Sequence, residues 1–236
     1  MEEQLRRYYL DQLGIQCWQA VTQAEHESLP AEADQPVRAP VLAPELTPAA
    51  TLEQAVQQCT ACPLHEQSGV ALAGRGAADA DVLVLLISPT TEDQQAGQIC
   101  SGEQGVLLDK MLAAIGLTGD QVYITSLLKH NVPDQHTITP AEVVACRKYL
   151  DEQLASVRPR FILMLGGLVT RCFLQQDKAL DVFREDINVH PHSASARYRD
   201  ARLLVSYSPQ ELLLSPADKR KAWQDLQLLQ AQISHD

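Results

Sequence analysis

Two thiols stand two residues apart in Cys59-Thr-Ala-Cys62. That is the spacing of a metal clip, although a single pair of this kind also occurs as ordinary core cysteine. A second stretch, Val205–Leu214 or "VSYSPQELLL", alternates apolar residues, breaks at Ser-Pro and resumes an apolar run. It has the form of a strand running out into a loop, where α/β domains build their sites. Yet it offers no obvious acid, base or nucleophile. A third stretch suits either a helix that packs back on the domain or a tethered recognition peptide, and the long proline-rich spacer favours the second. Leu5, Tyr9 and Leu13 fall on one helical face, and Gly14 stands where a left-handed C-cap belongs. Leu10 and Ile15 are then placed for the contact that accompanies such an ending, and Trp18 follows as an anchor.

These groups need elements to position them. The chain has 236 residues, 45% of them hydrophobic, enough for one well-buried domain plus an appendage. Residues 1–21 read as a helical peptide and 22–50 as a linker, with Pro30, Pro36, Pro40, Pro44 and Pro48 at short intervals. Proline removes a donor and biases its neighbour away from helix, so this linker should be extended and semi-stiff. Residues 51–236 read as alternating strands and helices. Strands are expected at Val82–Ile87, Val122–Ser126, Phe161–Gly166 and Leu203–Tyr207. Helices are expected at Gln104–Ile115, Pro140–Ser156, Leu168–Gln175 and Pro216–Ile233. Thr139-Pro140-Ala141-Glu142 and Ser215-Pro216-Ala217-Asp218 mark two helix starts. Short apolar strands between helices imply an α/β three-layer sandwich around a mostly parallel sheet.

The net charge of −11 argues against avid, non-specific binding of nucleic acid and suits protein partners. The longest apolar run, Val82–Ile87, is too short to span a bilayer, and the first residues lack a secretory pattern. A cytoplasmic location is the expectation. There the six cysteines serve as core residues or ligands rather than disulfides.

The domain resembles the iron–sulfur uracil-DNA glycosylases over most of residues 56–228. "CTACPL" (Cys59–Leu64) matches their Cys-x-x-Cys-x-Leu opening, and "GEQGVLLDKMLAAIGL" (Gly102–Leu117) their helix after the uracil pocket. "VYITSLLKHNVP" (Val122–Pro133), "TPAEVVACRKYL" (Thr139–Leu150), "RPRFILMLG" (Arg158–Gly166) and "SPQELLLSPADKRKAWQDL" (Ser208–Leu226) follow in the family's order. The resemblance implies a uracil-DNA glycosylase-like fold. It also implies stations for excision: a carboxylate that orients water, an aromatic that stacks the flipped base, an amide that reads it, and a donor to the leaving anion.

The four stations fall on Ile87, Cys100, Ser126 and Ser208. None of these supplies a carboxylate, a π-face, a two-pronged amide or a positive charge. On that count the pocket is vacated and the domain is expected to be non-catalytic; the alternative is a base-excision repair enzyme with an altered pocket. Glu92 and Asp93 are read as solvated loop charge, with catalysis second. The family's ligand stations fall on Cys59, Cys62, His130 and Cys146. Resemblance implies a 4Fe-4S cluster there; ligand chemistry alone favours zinc; the third reading is no metal, with Cys146 in a helix core and His130 on a surface loop. Cys17, Cys100 and Cys172 are read as small apolar residues.

A second resemblance concerns the N-terminus. Arg6-Arg7 followed by "YYLDQLGIQCW" (Tyr8–Trp18) is similar to the peptide of the psi subunits of bacterial DNA polymerase III. It implies that Leu10, Leu13, Ile15 and Trp18 bind the tau/gamma clamp loader. The domain would then bind chi, and through it single-strand-binding protein and DNA. A bridging replicase subunit is therefore the expectation, with the glycosylase and a redox- or metal-sensing module as rivals.

Overall fold

The computed structural model describes residues 50–189, 197, 198 and 200–235. The chain divides into two units, 1–44 and 45–236, and every described residue lies in the second. Leu10, Leu13, Ile15, Trp18 and the proline-rich linker thus lie outside the described residues.

Six strands form one sheet: β1 (Arg75–Gly76), β2 (Val82–Leu86), β3 (Val122–Ser126), β4 (Phe161–Leu165), β5 (Arg197–Tyr198) and β6 (Ala201–Ser206), in the order β1-β3-β2-β4-β6-β5. The four inner strands are parallel, and the two-residue β1 and β5 close the edges antiparallel. This is the expected uracil-DNA glycosylase-like α/β sandwich. All five residues of β2 and all five of β4 are buried, which is why both read as unbroken apolar runs.

Alternate residues serve alternate faces. Val82, Val84, Leu86, Phe161, Leu163, Leu165 and Leu204 meet one apolar layer; Leu83, Leu85, Ile162, Met164, Leu203 and Val205 meet the other. The first layer is capped by α4 (Gly102–Ala113), α8 (Pro209–Leu214) and α9 (Lys219–His235). The second is capped by α5 (Pro140–Val157), α6 (Gly167–Leu174) and α7 (Leu180–Phe183), which runs on into a π-helical stretch, Arg184–Val189. Each fully buried Leu, Ile or Phe contributes roughly 1.5–3 kcal/mol, so these layers dominate the fold's stability. Before the sheet lie α1 (Ala50–Gln57) and the short α2 (Leu64–Gln67), and α3 (Thr91–Ala96) follows β2. Among the described residues no helix is long and apolar enough to cross a membrane.

Helix starts depart from expectation in an instructive way. Thr139 caps α5 with a full capping box to Glu142, as its sequence indicates. Ser215 does not cap a helix with its side chain; Pro216–Asp218 is a single 3₁₀ turn before α9. The second Ser-Pro box sits earlier, at Ser208-Pro209-Gln210-Glu211, where a loop was expected. Glu at the third helical position can return a bond to the cap's N–H, and Glu211 does so.

Candidate functional site

The chain leaves β2 toward β3 on one side and leaves β4 toward β6 on the other, so the sheet's switch point lies between β2 and β4. Ligands of open α/β sheets bind outside the carboxyl ends of the strands at such a point. Ile87 follows β2, Ser126 ends β3, and Ser208 stands two residues beyond β6. These three stations therefore share the carboxyl edge. Cys100 belongs to the same apolar cluster as Leu86 and Tyr207, which sit at the ends of β2 and β6.

The side chains have settled into structural bonds. Ser126 is fully buried, and its Oγ donates to the Leu128 carbonyl at 2.7 Å. Its one hydroxyl proton is thereby committed. Ile87 packs against the layer beneath α5 and α6. Cys100 is buried at φ 55, and burial pushes its thiol up to about 12, so it stays neutral and behaves as an apolar residue. The first turn of α4 explains its position: a Cβ on Gly105 would stand 2.2 Å from the Cys100 carbonyl, so only glycine lets the helix approach.

Ser208 differs from the other three. Its Oγ accepts from the Glu211 N–H at 3.2 Å, while its own N–H donates to Glu211 Oε2 at 2.8 Å. The hydroxyl proton has no acceptor among the described residues, and the residue is partly exposed. Its neighbour at the end of β4 is Gly166, whose missing Cβ would lie 3.6 Å from Ser208 Oγ.

The strand leading to Ser208 is anchored by a polar network that sequence reasoning missed. Asp225, buried on α9, accepts from Arg184 Nε at 2.8 Å and Nη2 at 2.9 Å, from Ser206 Oγ at 2.8 Å and from Asn188 Nδ2 at 3.0 Å. Tyr207 donates to Asp181 Oδ1 at 2.7 Å, and Lys221 Nζ donates to both Asp181 and the Tyr207 oxygen at 3.0 Å. These bonds hold the Asp181 carboxyl at about 2, the Tyr207 bond first. Asp, Arg and Asn scattered over 181–225 carry no motif, so only spatial assembly reveals them.

The two carboxylates of "TTED" separate. Asp93 is buried; it completes a capping box with Thr90 and accepts from the Ser101 N–H at 2.6 Å and the Ser101 hydroxyl at 2.7 Å. It is a structural clamp on the Cys100 loop, not solvated charge. Glu92 is exposed, with its carboxylate over the α-carbon of Gly102, two residues from Cys100.

The four cysteine and histidine stations are all buried: Cys59, Cys62, His130 and Cys146 are at most 6% exposed. His130 is thus no surface-loop residue. The Cys62 thiol is lowered to about 6, chiefly by a hydrogen bond from Cys146, which in turn is pushed up. Cys59 lies against Tyr149, whose hydroxyl donates to the Ala55 carbonyl at 3.4 Å. His130 Nδ1 is the one buried side-chain nitrogen or oxygen without a hydrogen-bond partner among the described residues. Desolvation lowers the His130 pKa, so its ring is neutral with a lone pair to give. Burial also raises the Cys172 thiol, as suits a small apolar residue; Cys17 lies outside the described residues. No three His, Cys, Asp or Glu among the described residues gather as a single ion requires. Three thiols and one imidazole are donor types that both a structural zinc ion and an iron–sulfur cluster accept.

Beside Cys146, Lys129 is fully buried, its Nζ bonded to Thr125 Oγ1, the Ser126 carbonyl and Gln153 Oε1 at 2.6–2.9 Å. Burial lowers it to about 7. It ties the end of β3 to α5, the helix that carries Cys146.

Several of the proteins to which the chain is similar are type-4 uracil-DNA glycosylases. A type-4 uracil-DNA glycosylase of Pyrobaculum aerophilum is 26% identical over 74% of this chain and 89% of its own length. Type-4 uracil-DNA glycosylases of Thermotoga maritima and Archaeoglobus fulgidus are 31% and 36% identical, over 54% and 47% of this chain and 66% and 56% of their own lengths. These likenesses overturn the expectation of a psi-type replicase subunit. What is matched is a glycosylase domain, and the relatives are named as DNA glycosylases, not as partners of tau/gamma, chi or single-strand-binding protein. They also overturn the inference from four changed stations to a non-catalytic domain, because the changes leave the scaffold and its family intact. The model of the uracil DNA glycosylase superfamily matches residues 73–227, about two thirds of the sequence, and the chain belongs to that family.

Proposed function

We propose that this domain is a base-excision DNA glycosylase whose pocket, at the carboxyl edge between β2 and β4, departs from the uracil-reading pattern. The observation that carries the reading is the family match over residues 73–227, together with stations spread along the edge where such a site belongs. An extruded base would enter this edge. Ser208 is the donor to the leaving base, since its hydroxyl proton is uncommitted while its oxygen and N–H are fixed by Glu211. It offers a neutral O–H where positive charge would be stronger, so a slow enzyme is expected. Glu92, exposed beside the Cys100 loop, is the carboxylate that steadies positive charge on the sugar or orients water, in place of Ile87. Ser126, already bonded to Leu128, reads no base edge. Selection then rests on shape and backbone groups, which favours tolerance among deaminated bases.

Cys59, Cys62, Cys146 and His130 are the residues that would hold a 4Fe-4S cluster. When bound, such a group crosslinks the segment before the sheet to α5 and the end of β3; the chain's own contribution is three thiols and one imidazole in a dry setting. The test is excision. Single- and double-stranded oligonucleotides carrying one uracil, hypoxanthine or xanthine are incubated with the full chain, then cleaved with alkali. Product above that of Ser208→Ala supports the proposal. No product from any substrate at excess protein over hours sinks it.

A further inference from the structure

The buried donors differ in one respect from a four-thiolate set: one of them is neutral. We infer that His130 is an iron ligand through Nδ1, so that the cluster site of this chain has mixed sulfur and nitrogen ligation with one negative charge fewer than four cysteinates would give. The inference rests on the cluster proposed above but not on excision.

Four observations carry it. His130 is 2% exposed, and its Nδ1 is the buried polar side-chain atom left without a partner among the described residues. Buried polar groups are almost always bonded, so an orphan of this kind marks a missing partner. The backbone leading into His130 is pinned. Leu128 N–H donates to the Ile87 carbonyl at 2.9 Å, and the Lys129 carbonyl accepts from Leu72 N–H at 2.9 Å, which leaves the ring little freedom to seek another. The Lys129 N–H, one residue away, donates to the Cys146 sulfur, which places the segment beside the thiol pair. Finally, the neighbouring histidine is differently placed: His65 Nδ1 lies 2.6 Å from the Cys62 carbonyl, and its partly exposed ring turns Nε2 toward Glu66 at 3.9 Å.

The chemistry balances simply. The Nδ1 lone pair goes to an iron, and the ring proton stays on Nε2. Each coordinating cysteine gives up its thiol proton. With an imidazole in place of a thiolate the cluster accepts an electron more readily, as nitrogen ligation does elsewhere in iron–sulfur proteins.

The test uses the full chain, purified without oxygen and reconstituted with ferrous iron and sulfide. Iron and sulfide per chain are counted, the reduction potential is measured, and pulsed electron paramagnetic resonance of the dithionite-reduced protein is searched for ¹⁴N coupling. Wild type should bind iron and show strong imidazole coupling. His130→Cys should keep its iron, lose the coupling and move to a lower potential; His65→Ala should retain the coupling. Full iron without nitrogen coupling in wild type overturns the inference while leaving a cluster in place. Coupling that survives His130→Cys overturns it as well, and a wild type that retains no iron overturns both it and the cluster. Excision, assayed separately, decides the glycosylase reading on its own.

Discussion

Ser208 has two roles that one substitution removes together and a control separates. Its oxygen caps α8, and its hydroxyl proton is the proposed donor to the leaving base. Ser208→Ala loses both. Loss of an N-cap costs about 1 kcal/mol. In a domain of this size that lowers the melting temperature by roughly 2–4 °C. The loss is held to this level because the Ser208 N–H keeps its bond to Glu211. Removing a hydrogen-bond donor from a developing anion costs about 10²-fold or more in kcat. Ser208→Thr keeps a cap and a hydroxyl and should retain most of both properties. Thr139→Ala removes an equivalent capping box on α5, which packs on the opposite apolar layer from α8. It should show the same thermal loss with unchanged excision. The assays are a thermal melt and a single-turnover excision time course on a uracil-containing single strand. If Ser208→Ala melts lower but excises at the wild-type rate, Ser208 is a helix cap alone and the donor assignment fails.

Glu92→Gln should reduce excision by about 10²-fold with little change in melting, because the side chain is exposed; an unchanged rate would remove Glu92 from the chemistry. Asp225→Ala strands Arg184 and unties Ser206 and Asn188 at once, so chemical denaturation should register a loss of about 3–5 kcal/mol. The Asp181 carboxyl is lowered when folded, so its contribution is present above the ordinary carboxylate range and disappears as pH falls from roughly 4 toward 2. Asp181→Asn should therefore flatten stability against pH in that window, and only slightly, since the group is 58% exposed. Gly105→Ala should displace the Cys100 loop, visible as greater reactivity of the Cys100 thiol in a labelling time course.

The sequence was most legible where local chemistry decides. β2 and β4 are short runs of Val, Leu, Ile, Met and Phe, and any strand covered on both faces must look so. Their ends were read to within two residues. The edge strands β1 and β5 escaped notice because two residues carry no pattern. Asp93 was misjudged as solvated charge: its capping box is local, but its burial under the Ser101 loop depends on where α4 lands. The same holds for Ser208, where the Ser-Pro-x-Glu signature was present and read as a loop.

By itself, then, the sequence determined the parallel α/β sandwich, the helix caps at Thr139, and the residue types at each station, because periodicity and capping act over a few residues. Only the tertiary structure decided which of those residues are still free to act. Strand order carried Ser126 inward to spend its hydroxyl on Leu128, and the fold buried His130, in the segment after β3, with its Nδ1 unpaired among the described residues. The helix start after β6 fixed the Ser208 oxygen while leaving its proton available. Hydrogen bonds between distant segments have no imprint in local spacing, so they emerge only once the sheet has brought those segments together.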